Sequence, residues 1–268
     1  MSLATTFDKI AAIVRRDLLT ALRYRSAFLI TIAGATAELA AFYFLARAIG
    51  PGFRPEGVAY FSFLVVGTGF YTFLIMSINS FVAVVQEAQH SGTLEVMLTT
   101  ATPAPQLVIL STISSFSQNT AQFLIYVAAG LLLAAAPLHT NVLASAIVFA
   151  LSLVIVISTG LIAAALQLAL QKGSAVVWLI GSLSWLMTGT IFPVSALPDQ
   201  LRLASQAIPI THSLNAMRLA LLQGADLNTL ASELAILALF SSILLPASLW
   251  IFSSAMRRAR LHGTLSFY

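Results

Sequence analysis

Charged side chains are scarce in this chain, and cysteine is absent. Aspartate, glutamate, lysine and arginine together make up 8% of the 268 residues, whereas a typical soluble domain has about 25%. Hydrophobic residues make up 59%, and the mean hydropathy is +0.95. Because so few charges cannot cover a water-exposed surface, the composition predicts a protein solvated largely by lipid. The lack of cysteine excludes disulfides and thiol chemistry.

Six apolar runs each have the length of a transmembrane helix, which needs about 20 mostly apolar residues. The third and fourth are longer than a bilayer requires, so we expect them to tilt or to project into water. The first 25 residues lack the continuous apolar core of a cleavable signal. We therefore predict one all-α integral membrane domain over residues 1–268 with six transmembrane helices. The six runs are residues 26–49, 58–85, 106–136, 141–170, 174–192 and 230–253.

Lysine and arginine are concentrated near the two ends of the chain. Nine of the thirteen lie before residue 26, after residue 256, or in the loop that carries Lys172. Basic residues favour the cytoplasmic side, so an even number of spans predicts a cytoplasmic (inner) membrane protein with both termini in the cytoplasm. Residues 7–23 are amphipathic and basic, which is typical of a helix lying in the membrane interface.

Residues 193–224 are too interrupted to span a membrane, because they contain three prolines. The pieces between the prolines are amphipathic, and Thr211 is predicted to cap the second one. We predict two short helices that form a re-entrant hairpin in the outer leaflet before the last span.

Signatures of catalysis, cofactor binding and metal binding are missing. The order Lys172-Gly173-Ser174 does not match a phosphate-binding loop, and no glycine pattern precedes it. The four histidines are scattered, without the spacing of metal ligands on a helix. We therefore predict no catalytic residue and no cofactor or metal bound by this chain. The basic residues at the chain ends indicate membrane orientation, so no nucleic-acid partner is expected.

The loop after the second run, EAQHSGTLEVMLTTATP at residues 87–103, is more elaborate than a passive turn requires. Ser91 is predicted to cap a short helix that begins at Gly92, and Pro103 marks where the next helix can start. An apolar ridge in this position must contact the bilayer interface, the protein's own spans or another protein. The ridge consists of Leu94, Met97 and Leu98.

This loop resembles a pattern found in type-two (ABC-2-type) ABC transporter permeases. In that pattern a glutamate precedes Gly-Thr-Leu-Glu, an apolar pair and a proline in the loop after the second span. The six-span layout and the proline-rich segment before the last span also fit, so the resemblance covers nearly the whole chain. The matching positions are Glu87, Gly92, Thr93, Leu94, Glu95, Leu98 and Pro103.

The resemblance implies an exporter made of two permease copies, identical or related, and two separate ATPase subunits that bind ATP and Mg. The loop would be a coupling helix that docks on the ATPase through Glu87, Gly92, Thr93, Leu94, Glu95, Met97 and Leu98. The chain departs from the family's pattern in one respect, because no lysine or arginine occurs between Arg54 and Lys172. A structured turn without a partner is the other interpretation.

Two polar features lie inside the predicted spans. In the third span five polar side chains form one helical stripe, which favours either interhelical hydrogen bonds or a wall of the transport pathway. Glu38 lies near the middle of the first span, where an ionisable group is either functional or protonated and hydrogen-bonded. The stripe consists of Ser111, Ser115, Gln118, Asn119 and Gln122.

These features leave two further functional classes open. A stand-alone secondary transporter or channel would use Glu38 and the third-span amides as its pathway, although no internal repeat supports it. A membrane scaffold or sensor would use neither. The sequence does not define the transported substrate.

Overall fold

The computed structural model of the protein describes residues 25–94, 103–134, 140–170 and 173–262. These residues are mainly helical and contain no strand. The interfacial helix predicted at residues 7–23, the position of Lys172 and residues 95–102 of the loop lie outside them. The helices are α1 (Arg25–Ile49), α2 (Tyr60–His90), α3 (Ala104–Ala134), α4 (Val142–Leu170), α5 (Gly173–Met187), α6 (Asp199–Gln206), α7 (Pro209–Leu222) and α8 (Ala231–His262).

Helix α2 forms the centre of the bundle and packs against α3, α4 and α7. Close packing against α4 requires a glycine, because a Cβ atom on Gly160 would lie 2.2 Å from the ring of Phe81. Small residues at such crossings let transmembrane helices approach each other. At mid-height four aromatic rings from three helices pack together, with centroids 5.0–6.4 Å apart. They belong to Phe70, Phe73, Phe123 and Phe149.

Large apolar side chains cover the outside of the described bundle. Leu29, Ile30 and Phe44 on α1 are all more than 60% exposed, as are Trp178 on α5 and Trp250 on α8. In water such a surface would be unfavourable, whereas hydrocarbon chains solvate it well. The outer surface therefore agrees with the lipid environment that the composition predicts.

Four described helices are long and apolar enough to cross a membrane, and they coincide with the first, second, fourth and sixth predicted runs. Helix α3 has the required length, but the predicted polar stripe lowers its hydropathy. Helix α5 has only 15 residues, or about 22 Å, which is less than the about 30 Å of a hydrocarbon core. The six-span count therefore remains a prediction that depends on α3 and α5.

Helix α5 ends at Met187, five residues before the predicted end of the fifth run. The chain turns at Gly189, whose φ of +77° is a left-handed conformation that favours glycine, and Pro193 follows. Beyond this turn the chain forms α6 and α7, which we call the hairpin. The end of the bundle that carries the hairpin is the hairpin end, and the opposite end, with residues 87–94, is the loop end.

Helix α7 begins three residues before the position that the sequence predicted, since the predicted cap was Thr211 and the observed N-cap is Ile208. Pro209 occupies its first turn, where the missing N–H costs no hydrogen bond, and Ile208 is the N-cap. The hydroxyl of Thr211 instead donates to the carbonyl of Ser205 at 2.8 Å, so Thr211 is not the cap. This bond joins the two helices of the hairpin.

Candidate functional sites

The loop end begins where α2 stops at His90. The N–H and the hydroxyl of Ser91 both donate to the carbonyl of Glu87, at 2.9 and 2.7 Å. Gly92 follows with a φ of +69°, and the next helix begins at Thr93. Ser91 is therefore the C-cap of α2, and the next helix begins one residue after the predicted start at Gly92. The left-handed conformation explains why glycine suits this position.

Leu94 is buried within its own chain, with 1% of its surface exposed. It lies in an apolar cluster at the loop end that joins α2, α3, α4 and α8, so Leu94 itself packs on the protein's own spans. Glu87 and Thr93 are exposed beside it. Glu95, Met97 and Leu98 lie outside the described residues. The cluster consists of Leu94, Phe81, Val85, Ala88, Val108, Leu161, Ala164, Ala165, Leu168, Phe252, Met256 and Ala259.

A buried pair of amides also joins α2 and α4 at the loop end. The Nε2 of Gln167 donates to the Oε1 of Gln89 at 3.3 Å, and both side chains are at most 1% exposed. The sequence interpretation missed this pair, because each glutamine is isolated in its own helix. Buried amides are expensive to leave unpaired, so the bond fixes the two helix ends relative to each other.

A cavity of about 100 Å³ lies between α1, α2 and α3 at mid-height. It brings together polar residues from the first and third predicted spans, because Glu38, Asn119 and Gln122 all line it. Gln118 and Ser115 belong to the same predicted stripe but do not line the cavity. The structure thus divides the stripe between a cavity wall and other surfaces of α3.

Two other contacts define the polar wall of this cavity. The Nδ2 of Asn119 donates to the hydroxyl of Ser77 at 3.3 Å, which joins α3 to α2. Tyr126 is 8% exposed, and its hydroxyl faces the Glu38 carboxyl without a hydrogen bond of good geometry in the described residues. Asn119 therefore both joins helices and lines the cavity, whereas the hydroxyl of Ser111 donates to the carbonyl of Leu107 in its own helix.

At the hairpin end a buried arginine holds the turn after α5. Arg218 is 1% exposed, and its Nη1 and Nη2 donate to the carbonyls of Gly189 and Thr190 at 2.8 and 2.9 Å. Its guanidinium lies 3.6 Å from the ring centroid of Phe63. Burial lowers the pKa of Arg218 to about 10, while the nearby negative charge of Glu56 acts in the opposite direction.

The close approach of Arg218 depends on Gly67 of α2. A Cβ atom there would lie 1.9 Å from the Nη2 of Arg218 and 2.7 Å from the carbonyl oxygen of Thr190. The sequence interpretation missed the role of Arg218. The available signal was a single cation among apolar residues in MRLALL, which is unusual unless the cation is paired or hydrogen-bonded.

A second polar contact at the hairpin end links three helices. The Nδ1 of His212 on α7 contacts the Oε2 of Glu233 on α8 at 2.7 Å, and its Nε2 contacts the carbonyl of Gln206 at the end of α6 at 2.9 Å. The hydrogen bond to Glu233 raises the pKa of His212. Among the described residues no group of three or more His, Asp and Glu side chains is placed to hold a metal ion.

The helical architecture and a match to a known protein family together define the class of this protein. The apolar helices define a multi-pass membrane protein. The model of the family described as ABC-2 family transporter protein matches residues 49–250, which include α2–α7 and most of α8. A comparison with curated proteins gives no match. The chain belongs to the ABC-2 transporter family and is a permease component of an ABC transporter, so the resemblance seen in the sequence is confirmed.

Proposed function

We propose that this chain is the transmembrane subunit of an ABC exporter and that a separate ATPase drives it through the loop after α2. The observation that supports this most directly is the division of the loop into two sides. Glu87 and Thr93 are exposed, whereas Leu94 beside them is buried among four helices. One side of the loop can therefore contact a partner while the other is anchored in the permease.

This anchoring provides a physical route for coupling. Close-packed interiors transmit displacement because their side chains have no room to absorb it. A movement of the loop would therefore move the ends of α2, α3, α4 and α8 together, since all four contact the cluster around Leu94. Closure of the ATPase pair on ATP would shift the spans between inward and outward access. ATP and Mg belong to the partner, and this chain carries no catalytic residue in the proposal.

The proposed orientation places the loop end in the cytoplasm. Helix α8 ends beside the loop, because Met256 and Ala259 belong to the same cluster as Leu94. Three exposed arginines occupy that end of α8 and favour the cytoplasmic side; they are Arg257, Arg258 and Arg260. With six spans, both termini would lie in the cytoplasm of the inner membrane. The complex would contain two permease copies, identical or related, and two ATPase subunits.

The test is capture of the tagged chain from its native membranes, followed by labelling of the captured proteins with photoreactive ATP. We expect a labelled ATPase with the wild-type chain and a large loss with Glu95→Lys. Reversing a paired, partly buried charge costs about 2–5 kcal/mol of docking, or at least tens-fold in affinity. Asp199→Lys is the matched control, because Asp199 is exposed at the hairpin end. If Glu95→Lys and wild type capture equal amounts of the ATPase, Glu95 is not part of the docking surface. If neither captures an ATPase, the proposal is wrong.

Leu94→Asp has a different expected result from Glu95→Lys. Because Leu94 is buried in its own chain, the new carboxylate would be placed in an apolar cluster and would destabilise the permease itself. We expect a lower yield of folded permease, and weaker ATPase capture as a consequence. Normal folding and capture with this variant would mean that the cluster does not anchor the loop.

The alternative function is a stand-alone secondary transporter or channel. The specific observation in its favour is that Glu38, Asn119 and Gln122 line one cavity inside the bundle. Such a protein would move its substrate in proteoliposomes that contain the chain alone and a proton or ion gradient. The ABC permease requires the ATPase and ATP, so transport by the isolated chain would favour the alternative.

A further inference from the structure

We propose that the cavity beside Glu38 binds the ammonium group of a cationic amphiphile. This inference rests on the proposed transport function and deepens it by naming the chemical class of the cargo. The cavity lies at mid-height between α1, α2 and α3, and its lining combines one carboxylate, two amides and three aromatic rings.

The first argument is that Glu38 has no positively charged partner among the described residues that line the cavity. Glu38 lies near the middle of α1, and neither α2 nor α3, which form the other walls, contains a lysine or arginine. The nearest cation that follows on α1 is Arg47, nine residues further, or about 13 Å along a helix. A carboxylate at membrane depth is costly without a positive partner. A bound ammonium group would supply that charge, whereas a phosphate or sulfate group would meet no cation among the described residues that line the cavity.

The second argument is the aromatic part of the lining. Phe73 and Phe123 have ring centroids 5.7 Å apart, and Tyr126 contributes a third ring. Aromatic faces attract ammonium ions, and cages of several rings are a common way to bind quaternary ammonium groups. The hydroxyl of Tyr126 is buried and faces the cavity without a well-formed hydrogen bond in the described residues. It can therefore orient the Glu38 carboxylate toward a ligand.

The third argument is the size and position of the cavity. About 100 Å³ is far more than the about 15 Å³ that holds one water molecule, but it is too small for a long alkyl chain. Met76 and Gln122 line the cavity and are exposed, so its mouth lies on the outer surface of the bundle. The head group would enter the cavity while the apolar tail lies along the lipid-facing side chains of α1.

A second cavity supplies a reference for simple apolar binding. It has about 210 Å³ and an almost wholly apolar lining that includes Ile75, Val177 and Ile210. A neutral amphiphile would suit this second cavity at least as well as a cationic one. Selectivity for ammonium over a neutral head group therefore reports on the Glu38 cavity and not on apolar burial in general.

The experiment compares three ligands with the same eight-carbon tail: octyltrimethylammonium, 1-octanol and octyl sulfate, all below their micellar concentrations. Binding to the full chain with its captured ATPase is measured by titration calorimetry in nanodiscs of uncharged lipid, with empty nanodiscs as the blank. We expect octyltrimethylammonium to bind at least tenfold more tightly than either of the others. Equal affinities for the three ligands would overturn the inference without any variant.

Variants then assign the selectivity to the cavity. Glu38→Gln should reduce the affinity for octyltrimethylammonium about tenfold or more and leave 1-octanol unchanged, whereas Glu38→Asp should retain most of it. Gln122→Leu should weaken binding, and Gln118→Leu is its matched control, because Gln118 is on the same helix but outside the cavity. Selective binding that survives Glu38→Gln would place the ammonium site elsewhere. If no ATPase is captured, the transport proposal fails; if it is captured and the ligands bind equally, only the ammonium site fails.

Discussion

Arg218 shows how a single buried charge can fix the geometry of one end of the bundle. Its guanidinium donates to two carbonyls in the turn after α5 and packs on Phe63 of α2. Carbonyls at the end of a helix lack partners in that helix, and a cation is favoured there by the helix dipole. Arg218 therefore joins α2, α5 and α7 at the point where the hairpin begins.

The contact between Gly67 and Arg218 is testable with a pair of substitutions. Gly67→Ala should lower the free energy of unfolding by about 1–3 kcal/mol, because the added Cβ overlaps the Nη2 of Arg218. Arg218→Met should also destabilise the protein, since it leaves two buried carbonyls without donors, each at about 1–3 kcal/mol. Unfolding of the chain in lipid–detergent micelles measures both effects.

The double variant distinguishes this contact from general sensitivity of the core. With Arg218→Met present, Gly67→Ala should cost less, by at least about 0.5 kcal/mol, because the overlapping guanidinium has gone. Gly34→Ala is the control, since a Cβ at that position meets no atom within 4 Å. Strict additivity of the two substitutions would show that Gly67 does not serve Arg218.

The sequence predicted the polar residues of the Glu38 cavity but not their arrangement. Glu38, Asn119 and Gln122 could be found because ionisable and amide groups are rare in membrane spans. Whether Gln118 or Gln122 faces the cavity depends on the rotation of α3 against α2, which tertiary packing sets. The same holds for Leu94, whose burial could not be inferred, because a ridge of that kind fits either a partner or the protein's own helices.

At the scale of elements, His212 connects the hairpin to the last long helix. The carbonyl of Gln206 can only accept a hydrogen bond, so the Nε2 of His212 donates to it. When the Glu233 carboxylate is ionised it also accepts, so the Nδ1 carries the second proton. The contact is therefore strongest when His212 is positively charged. Among the described residues, the charge of Glu56 also interacts with Glu233, and Glu56 in turn interacts with Arg218.

This contact predicts a pH-dependent contribution to stability. The pKa of His212 in the folded protein is raised above its ordinary value of about 6.5, chiefly by the hydrogen bond to Glu233. The stabilisation is therefore complete below about pH 6.5 and is lost as the pH rises through the raised pKa. We expect the difference in unfolding free energy between wild type and His212→Gln to become smaller as the pH rises through the pKa of His212.

Glu233→Gln provides the second arm of this measurement, because it removes the charged acceptor and keeps the size of the side chain. It should flatten the pH dependence in the same way, and the two substitutions together should change it no further. If the difference between wild type and His212→Gln is constant with pH, the imidazole does not hold the extra proton and the bond to Glu233 is not charge-assisted.

Element boundaries follow local chemistry that the sequence only partly shows. The apolar runs located the long helices because about 20 such residues favour a span. The end of α5 depended on a left-handed Gly189, and the start of α7 on Pro209 taking the first turn. Glycine and proline both appear in the sequence, but which of several such residues ends a helix is decided by contacts such as that of Arg218.

At the scale of the whole molecule, the bundle connects its two ends through α2. At the loop end this helix joins the cluster around Leu94, at mid-height it lines the Glu38 cavity, and at the hairpin end it receives Arg218. A displacement of the loop would therefore reach the cavity along one continuous helix. This arrangement agrees with a permease in which a partner's movement changes access to a site inside the membrane.

The most direct measurement is photo-crosslinking from the loop in native membranes. A photoreactive amino acid is placed at Thr93, which is exposed beside the buried Leu94, and in a separate chain at Asp199, which is exposed at the hairpin end. We predict that Thr93 forms an adduct with an ATP-binding protein and that Asp199 does not. An adduct of that protein only from Asp199, or none from Thr93 in a membrane where the ATPase is present, would contradict the account.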